Sequence, residues 1–318
     1  MTLMNEKRLT DMTDIIKRVW DEAIGRWEKM DQVVLYDEAN KLLTQAVCEW
    51  AGVPLWANEI EERASELNAL FEAGGAVGPR HWHGRLSRQK AEKWASGLID
   101  DVRHGNLTPD EETALYQMSW HRDLNGKLME TGIAAVELVN ILRPTVAVSV
   151  YITFCALALY EFPGEKKKLK APINEEDYQR FVQEVRRYYP FFPMTVARVR
   201  KDFIWHGHDF REGTLVLLDL YGTNHHPDLW QKPEEFNPER FRNWEGSPFD
   251  FIPQGGGDFY TDHRCPGEWL TIEIMKASLD MMVNHMEYEI PPQDLNFSMT
   301  RMPSLPKSKF IIEKVRRK

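Results

Sequence analysis

Hydrophobic residues at helical spacing dominate the first two-thirds of the chain. The pattern predicts amphipathic helices over residues 12–30, 36–51, 57–72 and 87–104, because apolar side chains recur every three or four positions with charged ones between them. Glycine and proline within residues 74–80 predict a loop between the last two of these helices.

Residues 129–160 form a different kind of segment, which is helical in spacing but apolar on almost every side. Such a helix is expected to run through the middle of the fold. Pro144 lies inside it and cannot donate a backbone hydrogen bond, so a kink is predicted there. Residues 144–160 carry no charge, but they are fewer than the roughly 20 residues that a membrane span needs. A buried core helix is therefore expected, and no membrane span.

The last third of the chain mixes helices with short alternating stretches. Helices are predicted over residues 174–189 and from Glu268 onward. Period-two alternation predicts strands over residues 195–205, 213–218, 286–290 and 308–315. Neither an internal repeat nor a linker interrupts the chain, so the prediction is one domain that is mainly α with small β-sheets.

Composition narrows the classes of function. With 318 residues and 42% hydrophobic content, the chain can bury a single large core. Its net charge of −9 argues against nucleic acid as a partner and, more weakly, against anionic membrane surfaces. The three cysteines are too few and too scattered for a disulfide framework. A reducing compartment such as the cytoplasm is expected.

Cys265 is the first candidate for chemistry. It follows a glycine-rich loop and directly precedes Pro266 and Gly267. Proline suits the first position of a helix, so the sulfur is expected just before a helix N-terminus, where unpaired backbone N–H groups favour the thiolate. Glycines on both sides would let the backbone lie against a flat group, as heme binding requires. The alternative is a buried structural cysteine.

Arg143, directly before Pro144, is the second candidate. It places a permanent charge in the apolar helix, which is costly unless an anion meets it. That anion could be internal, such as Glu137 or a carboxylate on a neighbouring helix, because buried charges are usually paired. Alternatively, it is the carboxylate of a substrate, bound by both arms of the guanidinium.

Two other patterns have simpler interpretations. Glu184 and Arg187, three positions apart on a predicted helix, indicate a surface ion pair. Histidine pairs at positions 81 and 83, 206 and 208, and 225 and 226 could suggest zinc. None of these pairs has cysteines or carboxylates at ligand spacing, so surface or core histidines are expected.

The loop around Cys265 carries a family resemblance. It resembles the heme-ligand loop of the cytochromes P-450 through Phe251, Gly255, Gly256, Gly257, His263, Cys265, Pro266 and Gly267. The loop is longer than usual between Gly257 and His263, and this extension is similar to that of one branch, the bacterial fatty-acid peroxygenases. The resemblance implies a cytochrome P-450 fold that holds heme b.

The same resemblance implies roles for individual residues. Cys265 would bind the heme iron, with Gly257 and Gly267 beside it. Either His263 or Arg264 would meet a heme propionate, and the sequence does not choose between them. It also implies that an ion-pair group locks the segment leading to the cysteine loop, formed by Glu184, Arg187 and Arg240.

An activity also follows from the resemblance. Most cytochromes P-450 carry an acid–alcohol pair on the central helix, whereas Thr145 has no acid before it. The carboxylate of a fatty acid, held by Arg143 with Pro144 beside it, would replace that pair as acid and base. Fatty acid and hydrogen peroxide would be the partners, without a redox protein. Hydroxylation is expected at the α or β carbon, because these carbons lie nearest the held carboxylate.

Two alternatives remain from the sequence. One is a monooxygenase supplied with electrons by a reductase. The other is a non-catalytic remnant that binds heme weakly, because the sequence begins where the family is already within its helices. Residues 1–318 are thus expected to form a single heme-thiolate domain that is incomplete at the N-terminus, lacking the family's first sheet and one wall of the pocket.

Overall fold

Helices make up most of the computed structural model, which describes residues 2–170 and 174–318. Within that part of the chain, the α-helices are α1 Glu6–Trp27, α2 Leu35–Ala51, α3 Ile60–Glu72, α4 Pro79–Arg103, α5 Ala114–Trp120, α6 Thr131–Ala147, α7 Ser149–Glu161, α8 Pro163–Lys168, α9 Glu175–Tyr188, α10 Leu220–Asn224 and α11 Glu268–Asp280. Short 3-10 helices span Thr2–Met4 and Pro238–Phe241, and a π-helical turn spans Met281–His285. The expected mainly α fold with small sheets is confirmed.

The strands are short and antiparallel. They are β1 Gln32–Val34, β2 Met194–Arg198, β3 Phe203–Trp205, β4 His208–Phe210, β5 Leu215–Asp219, β6 Met286–Glu289 and β7 Ile311–Arg317. They form a three-stranded sheet in the order β1-β7-β6 and two hairpin-like pairs, β2-β5 and β3-β4. The predicted strand over residues 195–205 is in fact two strands in different sheets.

Helix α4 begins earlier than predicted. The glycine and proline signals of residues 74–80 indicated a loop, but Pro79 is the first residue of the helix. Proline is favourable at that position because the first backbone N–H of a helix has no partner. The breaker residues do separate α3 from α4, as predicted, but the loop ends where Pro79 begins α4.

The central apolar segment is divided into α6 and α7. Pro144 lies inside α6, and the helical pattern is interrupted one turn later, at Val148. The Val148 N–H donates to the carbonyl of Thr145 at 3.2 Å, a tighter turn than that of an α-helix. The interruption thus follows the proline instead of coinciding with it.

Buried packing explains the apolar composition of this segment. Thr131–Glu161 is long and apolar enough to cross a membrane, but 83% of its most hydrophobic window is buried inside the protein. Every residue of α7 from Ser149 to Leu159 is buried. The segment is therefore a core element, as expected from its length.

An ion-pair group joins α9 to the segment around Arg240, and its two members on α9 are completely buried. Glu184 and Arg187 on α9 are both inaccessible to solvent, with 2.8 Å between Glu184 Oε2 and Arg187 Nε. Arg240 Nε lies 3.0 Å from the same carboxylate. The interpretation of Glu184 and Arg187 as a surface pair is wrong, because α9 is covered by α11, α7 and the segment around Arg240. The group expected from the family resemblance is present.

Candidate active site

A cavity of about 920 Å³ opens beside the cysteine loop. Its walls come from α3, α6, the start of α7, the segment after α9, strand β5 and the loop that contains Cys265. Most of its exposed lining is apolar, from side chains such as Leu70, Phe71, Val148, Phe191, Phe192 and Leu218. The volume lies near the upper end of the range for ligand sites, so the cavity can hold a large cofactor.

Cys265 reaches this cavity, whereas the other two cysteines do not. Cys48 and Cys155 are completely buried in the core, and burial raises the pKa of the Cys48 thiol to about 12 and that of Cys155 further still. Cys265 is only partly buried and lines the cavity wall. It is the cysteine placed to bind a ligand.

The position of Cys265 relative to α11 differs from the prediction. Gly267 is the N-cap and Glu268 the first helical residue, so Pro266 lies in the preceding turn and not at the first helical position. Burial raises the pKa of Cys265, while a hydrogen bond from the backbone of Gly267 acts in the opposite direction. The helix start alone does not favour the thiolate. A bound metal ion would deprotonate the thiol.

The glycines of the loop are required for its fold. Gly255 and Gly257 have positive φ angles of 88° and 91°. A Cβ atom on Gly255 would lie 2.3 Å from the carbonyl oxygen of His263, and one on Gly257 would lie 2.3 Å from Asp262 Oδ2. Gly255 and Gly256 line the cavity, but Gly257 and Gly267 do not. Gly257 instead lies against Asp262, and its N–H donates to the carbonyl of Pro248 at 3.1 Å.

His263 and Arg264 point to different surroundings. His263 lines the cavity. The Arg264 guanidinium instead donates from Nε to Glu268 Oε2 at 2.6 Å and lies 4.2 Å from the ring centre of Phe259. Of the two residues that the sequence left open, only His263 faces the space available to a cofactor.

Arg186 supports the cysteine loop, although the sequence did not indicate it and it does not line the cavity. It is buried, and its Nη2 donates to Gln254 Oε1 at 2.9 Å and to Glu268 Oε1 at 2.5 Å. It therefore ties α9 and the start of the cysteine loop to α11. Its neighbour Arg187 belongs to a known motif, but adjacent arginines on a helix face different directions, and only the fold shows that both are buried.

Arg143 lines the same cavity as Cys265. Throughout residues 2–170 and 174–318, neither a hydrogen bond nor an ion pair meets its guanidinium. Glu137, the proposed internal partner, is exposed. Burial lowers the pKa of Arg143, and the nearby charge of Arg88 lowers it further. No internal carboxylate neutralises this cation in the described part of the chain.

The two residues after Arg143 differ in their relation to the cavity. Pro144 also lines it. The hydroxyl of Thr145 donates to the carbonyl of Ile141 at 2.9 Å, and Thr145 does not line the cavity. A protein acid–alcohol pair is therefore not available at this position.

The residues present fit a heme. One soft sulfur donor faces a large, mostly apolar cavity, and within the described residues no group of three or more histidines, cysteines or carboxylates could hold a metal ion. A single thiolate ligand is what an iron needs when a porphyrin supplies the other donors. The histidine pairs noted in the sequence do not converge with further ligands in the described chain.

Comparison with known proteins identifies the family. The family described as Cytochrome P450 matches residues 178–313. The structure of cytochrome P450SP alpha (CYP152B1) in complex with (R)-ibuprophen superposes with a TM-score of 0.94 at 47% identity, covering 99% of this chain and 77% of that one. This chain belongs to the cytochrome P450 family.

Two other solved P450 structures are similar over almost the whole chain. Cytochrome P450EX alpha (CYP152N1) with myristic acid gives a TM-score of 0.92 at 46% identity, covering 99% of this chain and 76% of that one. A variant of cytochrome P450 OleT in complex with arachidonic acid gives 0.92 at 37% identity, covering 100% and 76%. The likeness places this P450 with the CYP152 proteins and implies heme with cysteine thiolate ligation.

Curated P450 sequences match a smaller part of the chain. Psoralen synthase from Ammi majus is 33% identical over 134 residues, which is 40% of this chain and 26% of that protein. Geissoschizine oxidase from Alstonia scholaris is 26% identical over 216 residues, 59% of this chain and 42% of that protein. The chain thus spans about a quarter of the length of the first of these relatives and less than half of the second.

Proposed function

We propose that this P450 is a heme-thiolate peroxygenase that hydroxylates long-chain fatty acids at the α or β carbon with hydrogen peroxide. The observation that carries the proposal is Arg143, a half-buried guanidinium without a protein partner in the described chain, on the wall of the cavity that Cys265 also lines. Two of the similar solved structures are described as containing fatty acids, myristic and arachidonic acid.

Binding of the substrate would combine one charge with a large apolar surface. A guanidinium that has lost part of its hydration binds a carboxylate strongly, because the two groups match in geometry and charge. The alkyl chain would lie against the apolar side chains that line the cavity, including Phe71, Phe191 and Leu218. Burial of each methylene stabilises the complex by about 0.8 kcal/mol. Charge and chain length would therefore both contribute to affinity.

Cys265 would hold the heme in the cavity that His263, Gly255 and Gly256 also line. Bound heme would supply the iron that activates the peroxide, and a thiolate ligand favours cleavage of the O–O bond. Besides heme and hydrogen peroxide, the proposal needs only the fatty acid, with Cys265 and Arg143 as the residues that hold heme and substrate. It includes no redox protein and places the reaction in the cytoplasm.

Proton transfer would fall to the substrate. Pro144 has no side-chain acid, and the Thr145 hydroxyl is bound to the helix backbone. Arg143 would keep the fatty-acid carboxylate ionised and beside the peroxide. That carboxylate would accept a proton from hydrogen peroxide and return it to the oxygen that leaves as water. One peroxide oxygen enters the substrate C–H bond, so peroxide and fatty acid give hydroxy acid and water.

The test measures heme binding and turnover separately. The ferrous–carbon monoxide complex of the purified protein should show the absorbance of a thiolate-ligated heme, and Cys265→Ser should lose it. With hydrogen peroxide alone, the protein should convert fatty acids to hydroxy acids that mass spectrometry can locate. Arg143→Ala should lower this turnover by at least 100-fold while heme content is unchanged, because positioning and proton transfer are lost together.

Three outcomes would contradict parts of the proposal. Equal loss of heme and turnover in Arg143→Ala would make Arg143 a packing residue. Turnover that requires a reductase would favour a monooxygenase. A protein that takes up no heme would be a non-catalytic remnant.

A further inference from the structure

A stripe of polar side chains on α4 faces α6. His81, Arg85, Arg88 and Glu92 are spaced by four, three and four positions, so they lie on one side of the helix. They line a second cavity of about 140 Å³ together with residues of α6, among them Asn140 and Arg143. No residue of α4 lines the large cavity, so these four side chains are separate from the site described above.

Close packing of α3 and α4 brings this stripe into place. Gly84 on α4 is buried, and a Cβ atom there would lie 2.3 Å from the Cβ of Ala73 and 3.2 Å from the carbonyl oxygen of Ala69. A larger residue would push α4 away from α3. Gly84 therefore allows α4, which carries the polar stripe, to lie close against α3.

Arg143 is common to the two cavities. It lines the large cavity with Cys265 and the small one with Arg85, Arg88 and Glu92. The small cavity is thus lined by three arginines and one glutamate. Glu92 Oε1 accepts a hydrogen bond from Arg88 Nε at 2.6 Å, which compensates only Arg88. The carboxylate end of the site has an excess of positive charge.

We infer that Arg88 is a second specificity-determining residue for anionic substrates, and that Glu92 limits its effect. The inference rests on the proposed function, in which Arg143 binds a carboxylate. A carboxylate bound at Arg143 is also attracted by the positive charge of Arg88 across the small cavity. An uncharged head group is not. The lowered pKa of Arg143, to which Arg88 contributes, agrees with this proximity.

The expected effect is moderate because Arg88 is 60% exposed. Interactions of exposed charges are screened by water and salt. Arg88→Gln should therefore weaken binding of a fatty acid by about 1.5- to 5-fold. Glu92→Gln should strengthen it by a similar factor, because the charge of Arg88 is no longer offset. Two neighbouring substitutions with opposite signs are difficult to explain by damage to the fold.

The experiment compares two ligands of equal length. Dissociation constants of the heme-loaded protein would be measured by calorimetry for palmitic acid and for hexadecanol. The ratio of the two constants should change in opposite directions in Arg88→Gln and Glu92→Gln. The change should come from the dissociation constant of palmitic acid, while that of hexadecanol stays the same. Arg88→Lys keeps the charge and should keep the ratio. The differences in this ratio between the variants and the parent protein should shrink in 1 M salt, where the Debye screening length is about 3 Å.

An exposed arginine that lines neither cavity provides the control. Arg211 is 67% exposed and pairs with Asp202 and Asp209, so Arg211→Gln should leave the ratio unchanged. If Arg143→Ala weakens acid binding but neither Arg88→Gln nor Glu92→Gln changes the ratio, the inference is wrong and the proposed function stands. If Arg143→Ala does not change the ratio, the proposed carboxylate site itself is wrong.

Discussion

Removal of the Glu184 carboxylate tests a charge that is completely buried in the fold. Glu184 is inaccessible to solvent and accepts four hydrogen bonds. Arg187 donates from Nε at 2.8 Å and from Nη2 at 2.9 Å, the backbone N–H of Asn237 donates at 2.7 Å, and Arg240 Nε donates at 3.1 Å. The substitution Glu184→Ala leaves all these donors without their acceptor.

The magnitude follows from what remains after the substitution. Removing one partner of a buried ion pair costs about 3–5 kcal/mol, because the other charge stays desolvated. Arg187 cannot easily leave, since it also donates to the carbonyl of Asn224 at 2.9 Å. We therefore expect Glu184→Ala to lower the free energy of unfolding by about 3–5 kcal/mol. That is a large part of the typical total of about 5–15 kcal/mol.

Denaturant titration of the heme-loaded protein, followed by the fluorescence of its 11 tryptophans, would measure the change. The matched control is Glu235→Ala, which breaks the Lys232–Glu235 pair at the same i,i+3 spacing. Its side chains are 69% and 58% exposed, so the loss should be below about 1 kcal/mol. An equal loss in the two variants, or a loss below about 1 kcal/mol for Glu184→Ala, would refute the argument from burial.

Two further predictions concern packing and pH. Gly84→Ala should destabilise the protein by about 1–3 kcal/mol, because the new Cβ overlaps Ala73. Gly97→Ala on the same helix adds a Cβ that meets nothing within 4 Å, so this control should stabilise the protein by up to about 1 kcal/mol. Similar shifts of the melting temperature in both variants would contradict the packing argument. Burial raises the pKa of Glu268, but Arg186 and Arg264 outweigh it, so that the folded value lies below the ordinary 4.5. The ionised carboxylate of Glu268 therefore stabilises the folded protein above about pH 4.5, the ordinary pKa of the group. This stability is lost as the pH falls through the lower pKa of the folded state. Unfolding measured from neutral to acid pH should show this loss, and Glu268→Gln should show less of it; identical pH profiles would rule out the contribution.

Local sequence patterns determined the helical character and the two chemical centres of this protein. The predicted bounds 36–51 and 174–189 agree closely with α2 and α9, because apolar periodicity is strong where one helix face is buried. Cys265 in its glycine loop, and Arg143 in an apolar helix, were singled out because each residue type is unusual in its surroundings. These observations depend on neighbours within a few positions.

Only the tertiary structure decided which charges are paired. Sequence spacing indicated a surface pair for Glu184 and Arg187, but both side chains are buried in the fold. The sequence also allowed an internal partner for Arg143, and the described chain supplies none. The contacts that decide such questions join distant positions, as between Arg186 and Glu268 or between α4 and α6. Burial and charge compensation depend on which elements meet in space, and residue spacing along one helix does not contain that information.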